Sequence, residues 1–101
     1  MWLFAMFDLP VDTKEARRIY TRFRTTLLRQ GFSMLQFSVY ARYCGSEERD
    51  EILKRSLRKM LPPRGQVRLI AVTDRQFGKM EVYEGNSKVA TEKEPEQLLL
   101  F

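Results

Sequence analysis

The stretch MWLFAMFDLP, residues 1–10, predicts the central strand of the fold. Over residues 2–7 the side chains alternate between two faces, and both faces are apolar. Such a strand is typical of the middle of a sheet that is covered on both sides. Helices of the same chain can cover one face, but a chain of 101 residues needs another cover for the second, which we expect a second copy to provide. The residues expected at that homodimer interface, or at another partner interface, are Trp2, Phe4 and Met6.

Two later segments predict helices. The first begins at a cap, Asp12 or Thr13, and ends at about Gln30 before a glycine. The second is capped by Ser46 and ends before Pro62, with acidic residues near its start and basic residues near its end. Its predicted buried residues are Ile52, Leu53, Leu57, Met60 and Leu61.

The remaining segments complete a two-layer fold. Residues 32–43 are interpreted as two strands that meet near 36–38, although a single long bent strand also fits. Residues 65–73 predict a further strand, residues 74–79 a turn, and residues 80–85 a short extension. The order βαββαβ predicts an α+β, ferredoxin-like fold with one helical layer on an antiparallel sheet.

The C-terminal segment is polar at first and apolar at its end. We expect one domain, with a ferredoxin-like core at 1–83 and a linker at 84–101 that ends in an extra edge or swapped strand. A docking peptide for another protein is the alternative for this end. The apolar residues concerned are Leu98, Leu99, Leu100 and Phe101.

The composition narrows the kinds of function that the chain can perform. Eighteen Lys and Arg residues against thirteen Asp and Glu give a net charge of +5, which favours a polyanion such as nucleic acid as partner. No histidine and one cysteine, Cys44, exclude Cys/His zinc sites, His-based triads and an internal disulfide framework. The first apolar run is too short to span a bilayer, so we expect a cytoplasmic protein with no membrane partner.

The first helix carries much of the basic charge. Residues 12–30 hold five Arg and one Lys against Asp12 and Glu15. Arginine is suited to bidentate phosphate contacts, so this helix predicts binding to the backbone of duplex or single-stranded nucleic acid, largely without sequence preference. The candidate nucleic-acid-binding residues are Lys14, Arg17, Arg18, Arg22 and Arg24.

Asp8 is the candidate catalytic and metal-binding residue, at the carboxyl end of the first strand. In a symmetric dimer, two copies of Asp8 would approach the two-fold axis and share a Mg²⁺ or Mn²⁺ ion, with water as the other ligands. The alternative is a structural Asp8 that accepts hydrogen bonds from the amides of the next loop.

Three segments, MFDLPVDTKEARR, GFSMLQFSVYARY and QVRLIAVT, resemble the second Cas protein family, the small CRISPR-associated adaptation nuclease. The likeness covers about the first 80 residues in order. Its most specific parts are the strand that ends in Asp8 and LQFSVY, which is similar to the family's Leu/Ile-Gln-aromatic-Ser-Val-aromatic signature. The opening segment looks most like members from Cas9-containing systems.

The resemblance implies a ferredoxin-like homodimer in which Asp8 matches the family's metal-binding aspartate. It also implies a role in spacer acquisition, in which the dimer binds duplex protospacer DNA and bridges dimers of the CRISPR integrase, the first Cas protein. Members are assigned Mg²⁺-dependent endoribonuclease or DNase activity. Phe7 replaces the tyrosine that many relatives carry before the aspartate, so enzymatic activity stays open. The alternative function is a generic RNA-binding ferredoxin-like module.

Overall fold

The computed structural model describes residues 1–95 as an α+β fold built on a four-stranded antiparallel sheet. The strands are Trp2–Asp8 (β1), Ser33–Gln36 (β2), Val39–Tyr43 (β3), Gln66–Val72 (β4), Val82–Glu84 (β5) and Ser87–Val89 (β6). The helices are Lys14–Arg29 (α1), Glu47–Arg58 (α2) and Asp74–Gly78 (α3). The sheet order β2-β3-β1-β4 puts β1 in the interior and confirms the ferredoxin-like fold. Residues 32–43 form two strands, which confirms the first interpretation over a single long bent strand.

Side-chain caps set the starts of the two long helices. The Thr13 hydroxyl accepts a hydrogen bond from the Ala16 backbone N–H at 3.0 Å, so Thr13 rather than Asp12 is the α1 cap. The Ser46 hydroxyl accepts from the Arg49 N–H at 3.3 Å, which confirms the predicted start of α2.

The main core lies between these helices and one face of the sheet. Leu3, Ala5 and Phe7 of β1 are buried there against residues of both helices. The prediction that Ile52, Met60 and Leu61 are buried is wrong, since they are 62%, 37% and 45% exposed. Ile52 precedes the buried Leu53, and one residue is a rotation of about 100° around a helix. Met60 and Leu61 lie beyond the end of α2.

The other face of the sheet is partly covered by a short helix where the sequence predicted a turn. Thr73 and Gln76 form a capping box that starts α3. The helix places Phe77, 3% exposed, on Trp2, with the ring centroids 3.9 Å apart and the planes 5° from parallel. Part of the cover that was expected from a second copy is therefore supplied by the chain itself.

The segment after α3 forms a hairpin rather than a linker. β5 pairs antiparallel with β6. The pair lies across the predicted division of the chain at residue 83, so residues 84–89 are part of a folded hairpin. The apolar residues predicted for the edge strand or docking peptide, Leu98 to Phe101, lie outside the described residues. Among the helices of residues 1–95, none has the length and apolar character needed to cross a membrane.

Candidate functional site

Asp8 is the last residue of β1 and its side chain is exposed. In the ladder with β4 it lies opposite Gln66. Successive residues of a strand point to opposite faces, so Asp8 shares the face of Phe4 and Met6 and lies opposite the main core. The structure thus places this carboxylate at the end of an interior strand, on the face of the sheet that the two long helices leave open.

Gly65 lies close to the backbone of Asp8. Its φ of +86° lies in the left-handed region, which is unfavourable for residues with a side chain. A Cβ atom at this position would lie 2.5 Å from the carbonyl oxygen of Asp8 and 2.8 Å from the Leu9 Cδ2. Since real Cβ contacts are not this short, the close approach of β4 to the end of β1 requires glycine.

A shallow cleft of about 240 Å³ surrounds Asp8. A backbone hydrogen bond of 3.1 Å from the Phe7 N–H to the Ser38 carbonyl ties the β2–β3 turn to one side of it. The exposed Arg68 of β4 brings a positive charge to the cleft. The lining residues are Met6, Phe7, Asp8, Ser38, Val39, Gln66 and Arg68. The cleft therefore combines a carboxylate with an arginine that suits a phosphate ligand.

A single chain does not supply a complete metal site in the part that the structure describes. Residues 1–95 contain no group of three or more Cys, Asp or Glu side chains that could hold an ion. Divalent cations such as Mg²⁺ need several oxygen ligands. Among the described residues, Asp8 therefore has too few acidic neighbours to form such a site with carboxylates of the same chain.

The predicted nucleic-acid-binding side chains lie on α1 and outside the Asp8 cleft. All five are exposed: Lys14, Arg17, Arg18, Arg22 and Arg24. Two of them make contacts that fix one flank of the helix. The Arg17 guanidinium donates to the Val11 carbonyl at 3.1 Å, and the Arg24 Nε donates to the Tyr40 hydroxyl at 2.9 Å. Arg18 and Arg22 line a groove between α1 and residues 60–63 on the other flank.

The three residues predicted at an interface between subunits differ in their surroundings. Trp2 is 6% exposed and is covered by Phe77 and Tyr43 of its own chain. Phe4 and Met6 are half-buried. Ile70, which pairs with Phe4 across the β1–β4 ladder, is 50% exposed. The remaining apolar surface on this face is therefore centred on Phe4, Met6 and Ile70 rather than on Trp2.

Comparison with known proteins assigns a family to this arrangement. The family model described as CRISPR associated protein Cas2 matches residues 1–80, which contain the whole four-stranded sheet, α1, α2 and the Asp8 cleft. The chain belongs to the Cas2 family. The resemblance noted in the sequence is confirmed, and its assignment to a Cas9-containing system stays a prediction.

Three relatives named CRISPR-associated endoribonuclease Cas2 align with the whole of this chain. The protein from Parvibaculum lavamentivorans is 48% identical over 101 residues and is itself covered completely. The protein from Flavobacterium psychrophilum is 44% identical and is covered over 88% of its length. The protein from Paracidovorax avenae is 43% identical and is covered over 94% of its length.

Two residues of the site in this Cas2-family chain were missed by sequence reasoning. Arg68 occupies an alternate position of β4 whose neighbours on the same face include Ile70 and Val72, so a charge within that apolar alternation was the available signal. Gly65 follows a Pro-Pro-Arg segment and was placed at the start of the strand predicted for residues 65–73. Nothing in the sequence indicated its close approach to Asp8.

Proposed function

We propose that this protein is a homodimeric CRISPR adaptation protein that binds duplex protospacer DNA and bridges integrase dimers during spacer acquisition. Membership of the Cas2 family supports the adaptation role. The observation that carries the DNA-binding part is the exposure of all five predicted basic side chains on one helix, α1. This surface lies on the helical side of the sheet, whereas the face proposed for dimerisation lies on the other side.

The dimensions of α1 suit contacts with a nucleic-acid backbone. Its 16 residues span about 24 Å. Duplex DNA presents phosphates along each strand at a spacing of about 3.4 Å along the axis, so this length covers several of them. Guanidinium groups bind phosphate oxygens in a bidentate manner, and such contacts position the duplex without reading its sequence.

Dimerisation through the open face of the sheet would bury the apolar surface that the chain leaves uncovered. The half-buried Phe4 and Met6 and the exposed Ile70 form the centre of that surface. An isologous pair would bring two copies of this surface together, with the two Asp8 side chains at its margin. We assign the integrase contact to the C-terminal residues Leu98 to Phe101.

Metal-dependent endonuclease activity at Asp8 is the second candidate function. It is supported by the endoribonuclease names of the relatives and by the presence of both Asp8 and Arg68 in the lining of one cleft. Asp8 from each of two subunits would hold Mg²⁺ or Mn²⁺, which when bound stabilises negative charge on phosphate and lowers the pKa of water. Arg68 would bind a phosphate of the substrate beside it.

Charge reversal tests the DNA-binding role. Arg18→Glu with Arg22→Glu should weaken binding of labelled duplex DNA and reduce the salt dependence of log K by about one for each phosphate that the variant no longer neutralises. Lys88→Glu with Lys93→Glu is the matched control, because it changes the net charge equally at exposed sites far from α1 in sequence. Equal losses of affinity in both double variants would show that α1 affects DNA binding only through the net charge of the protein.

A paired assay separates the scaffold from the nuclease. Wild type and Asp8→Asn are incubated with labelled duplex DNA or single-stranded RNA, in Mg²⁺ or in EDTA. Cleavage that needs both Mg²⁺ and Asp8 supports the nuclease. Binding that survives EDTA and Asp8→Asn without cleavage supports the scaffold alone. A preference for single-stranded RNA, with no capture of integrase, would favour the generic RNA-binding module.

A further inference from the structure

The turn between β2 and β3 presents an aromatic ring to solvent at the end of the sheet that carries Asp8. Phe37 is 80% exposed, which is the largest exposure among the exposed large hydrophobic residues of the described chain. The turn is anchored on its β3 side. Ser38 adopts a left-handed φ of +64°, and its carbonyl accepts the hydrogen bond from the Phe7 N–H. The backbone next to Phe37 is therefore tied to β1.

A second aromatic ring packs against one side of Phe37. The Tyr20 ring of α1 stacks on Phe37, with centroids 6.3 Å apart and an interplanar angle of 23°. Tyr20 is half-buried and also contacts the buried Phe7 edge to face, with centroids 5.8 Å apart. A ring that is backed on one side and exposed over most of its area is suited to stack with another planar group.

Arginines flank this aromatic pair. Arg17 and Arg24 lie three residues before and four residues after Tyr20, so the three side chains share one flank of α1. The hydrogen bonds to the Val11 carbonyl and to the Tyr40 hydroxyl use one donor of each guanidinium. A guanidinium has five N–H donors, so each exposed arginine retains donors for a phosphate.

We propose that Phe37, supported by Tyr20, is a stacking site for an unpaired nucleobase, and that Arg17 and Arg24 bind the phosphates on either side of it. This proposal rests on the proposed nucleic-acid binding and adds a preference for a strand with unstacked bases. Alternating positive charge and exposed aromatic surface is the arrangement by which proteins bind single strands without reading sequence. An apolar side chain of a partner protein would contact the ring but would leave the remaining guanidinium donors of the flanking arginines without a ligand.

The test compares oligonucleotides that differ in bases but share all phosphates. Fluorescence anisotropy gives the affinity of the full chain for a labelled single-stranded DNA, for an abasic strand of equal length, and for a blunt duplex. Phe37→Ala should weaken binding of the strand with bases by about 5-fold to 150-fold and leave binding of the abasic strand and the duplex unchanged. Phe37→Trp should preserve the affinity. Ile52→Ala, which removes an exposed apolar side chain on α2, is the control and should change none of the three.

Three other results would overturn the proposal, and each points to a different cause. Equal wild-type affinity for the strands with and without bases would overturn the stacking site and leave the proposed function intact. A wild type that binds no oligonucleotide would overturn both. Sedimentation of Phe37→Ala as a different oligomer from wild type would assign Phe37 to a protein interface instead.

Discussion

Replacement of Gly65 by alanine tests whether the end of β1 packs too closely on position 65 to leave room for a side chain. The new methyl group would lie 2.5 Å from the Asp8 carbonyl oxygen, and the residue would keep a φ of +86°. The left-handed conformation costs about 1–2 kcal/mol for a residue with a Cβ. Overpacking adds about 1–3 kcal/mol, because β1 lies between two strands and has little room to move. Loss of unfolded-state freedom returns about 0.4–1 kcal/mol. We expect a net loss of about 3 kcal/mol.

Gly85 provides the matched control. It also has a positive φ, +60°, but a Cβ atom there would meet nothing within 4 Å. Gly85→Ala therefore carries the cost of the left-handed conformation alone, and we expect a loss of about 1 kcal/mol. The difference between the losses of unfolding free energy in the two variants measures the steric cost of placing a Cβ atom against Asp8.

The assay is urea unfolding of both variants and wild type at one protein concentration, because the apparent stability of the proposed dimer would depend on concentration. For a domain of this size, each kcal/mol also lowers the melting temperature by about 4–8 °C. Equal free-energy losses in Gly65→Ala and Gly85→Ala would refute the argument. The Asp8 position would then not depend on close contact with Gly65.

Two further stability predictions follow from contacts on either side of the sheet. Phe77→Ala should lower the free energy of unfolding by about 3–5 kcal/mol in urea melts, since the buried ring stacks on Trp2. The control Tyr83→Ala, at a 54% exposed site, should change it by less than about 0.5 kcal/mol. Similar losses in both variants would contradict the burial of Trp2 by Phe77. The hydrogen bond to the buried Asp50, whose carboxylate oxygen lies 3.0 Å from the Lys54 ammonium, raises the pKa of Lys54 above its ordinary value of 10.5. A lysine with a raised pKa stabilises the fold at pH values below its ordinary pKa, and this stabilisation is lost as the pH rises through the raised pKa. The difference in free energy of unfolding between wild type and Lys54→Met, measured in urea melts, should therefore shrink above about pH 10.5. An advantage that stays constant into this alkaline range would contradict it.

The parts of the fold that the sequence predicted correctly depend on local rules. Thr13 and Ser46 are cap residues followed by periodic apolar positions, and such helices can be recognised because all the relevant residues lie within one or two turns. The two-sided apolar pattern of residues 2–7 indicated an interior strand, and its end marked Asp8 as a candidate.

The errors occurred where local patterns carry too little information. The five residues of α3 are too few to show a helical period, so residues 74–79 were predicted as a turn and the capping box that begins at Thr73 was missed. Ile52 and Leu53 are adjacent and equally apolar, and only packing against the sheet decides that the second is buried. The short strands β5 and β6 have three residues each and form only because they pair with one another.

By itself, the sequence determined the order of the main strands and helices, the exposed basic surface of α1 and the family, because these follow from residue type, spacing along the chain and similarity to relatives. The tertiary structure alone decided what surrounds Asp8 and Phe37. Strand register brings Arg68 and Ser38 to the Asp8 cleft from segments distant in the chain, and the β2–β3 turn brings Phe37 onto Tyr20 of α1. The sequence alone does not indicate these contacts, because strand pairing and packing between layers bring together residues that are far apart along the chain.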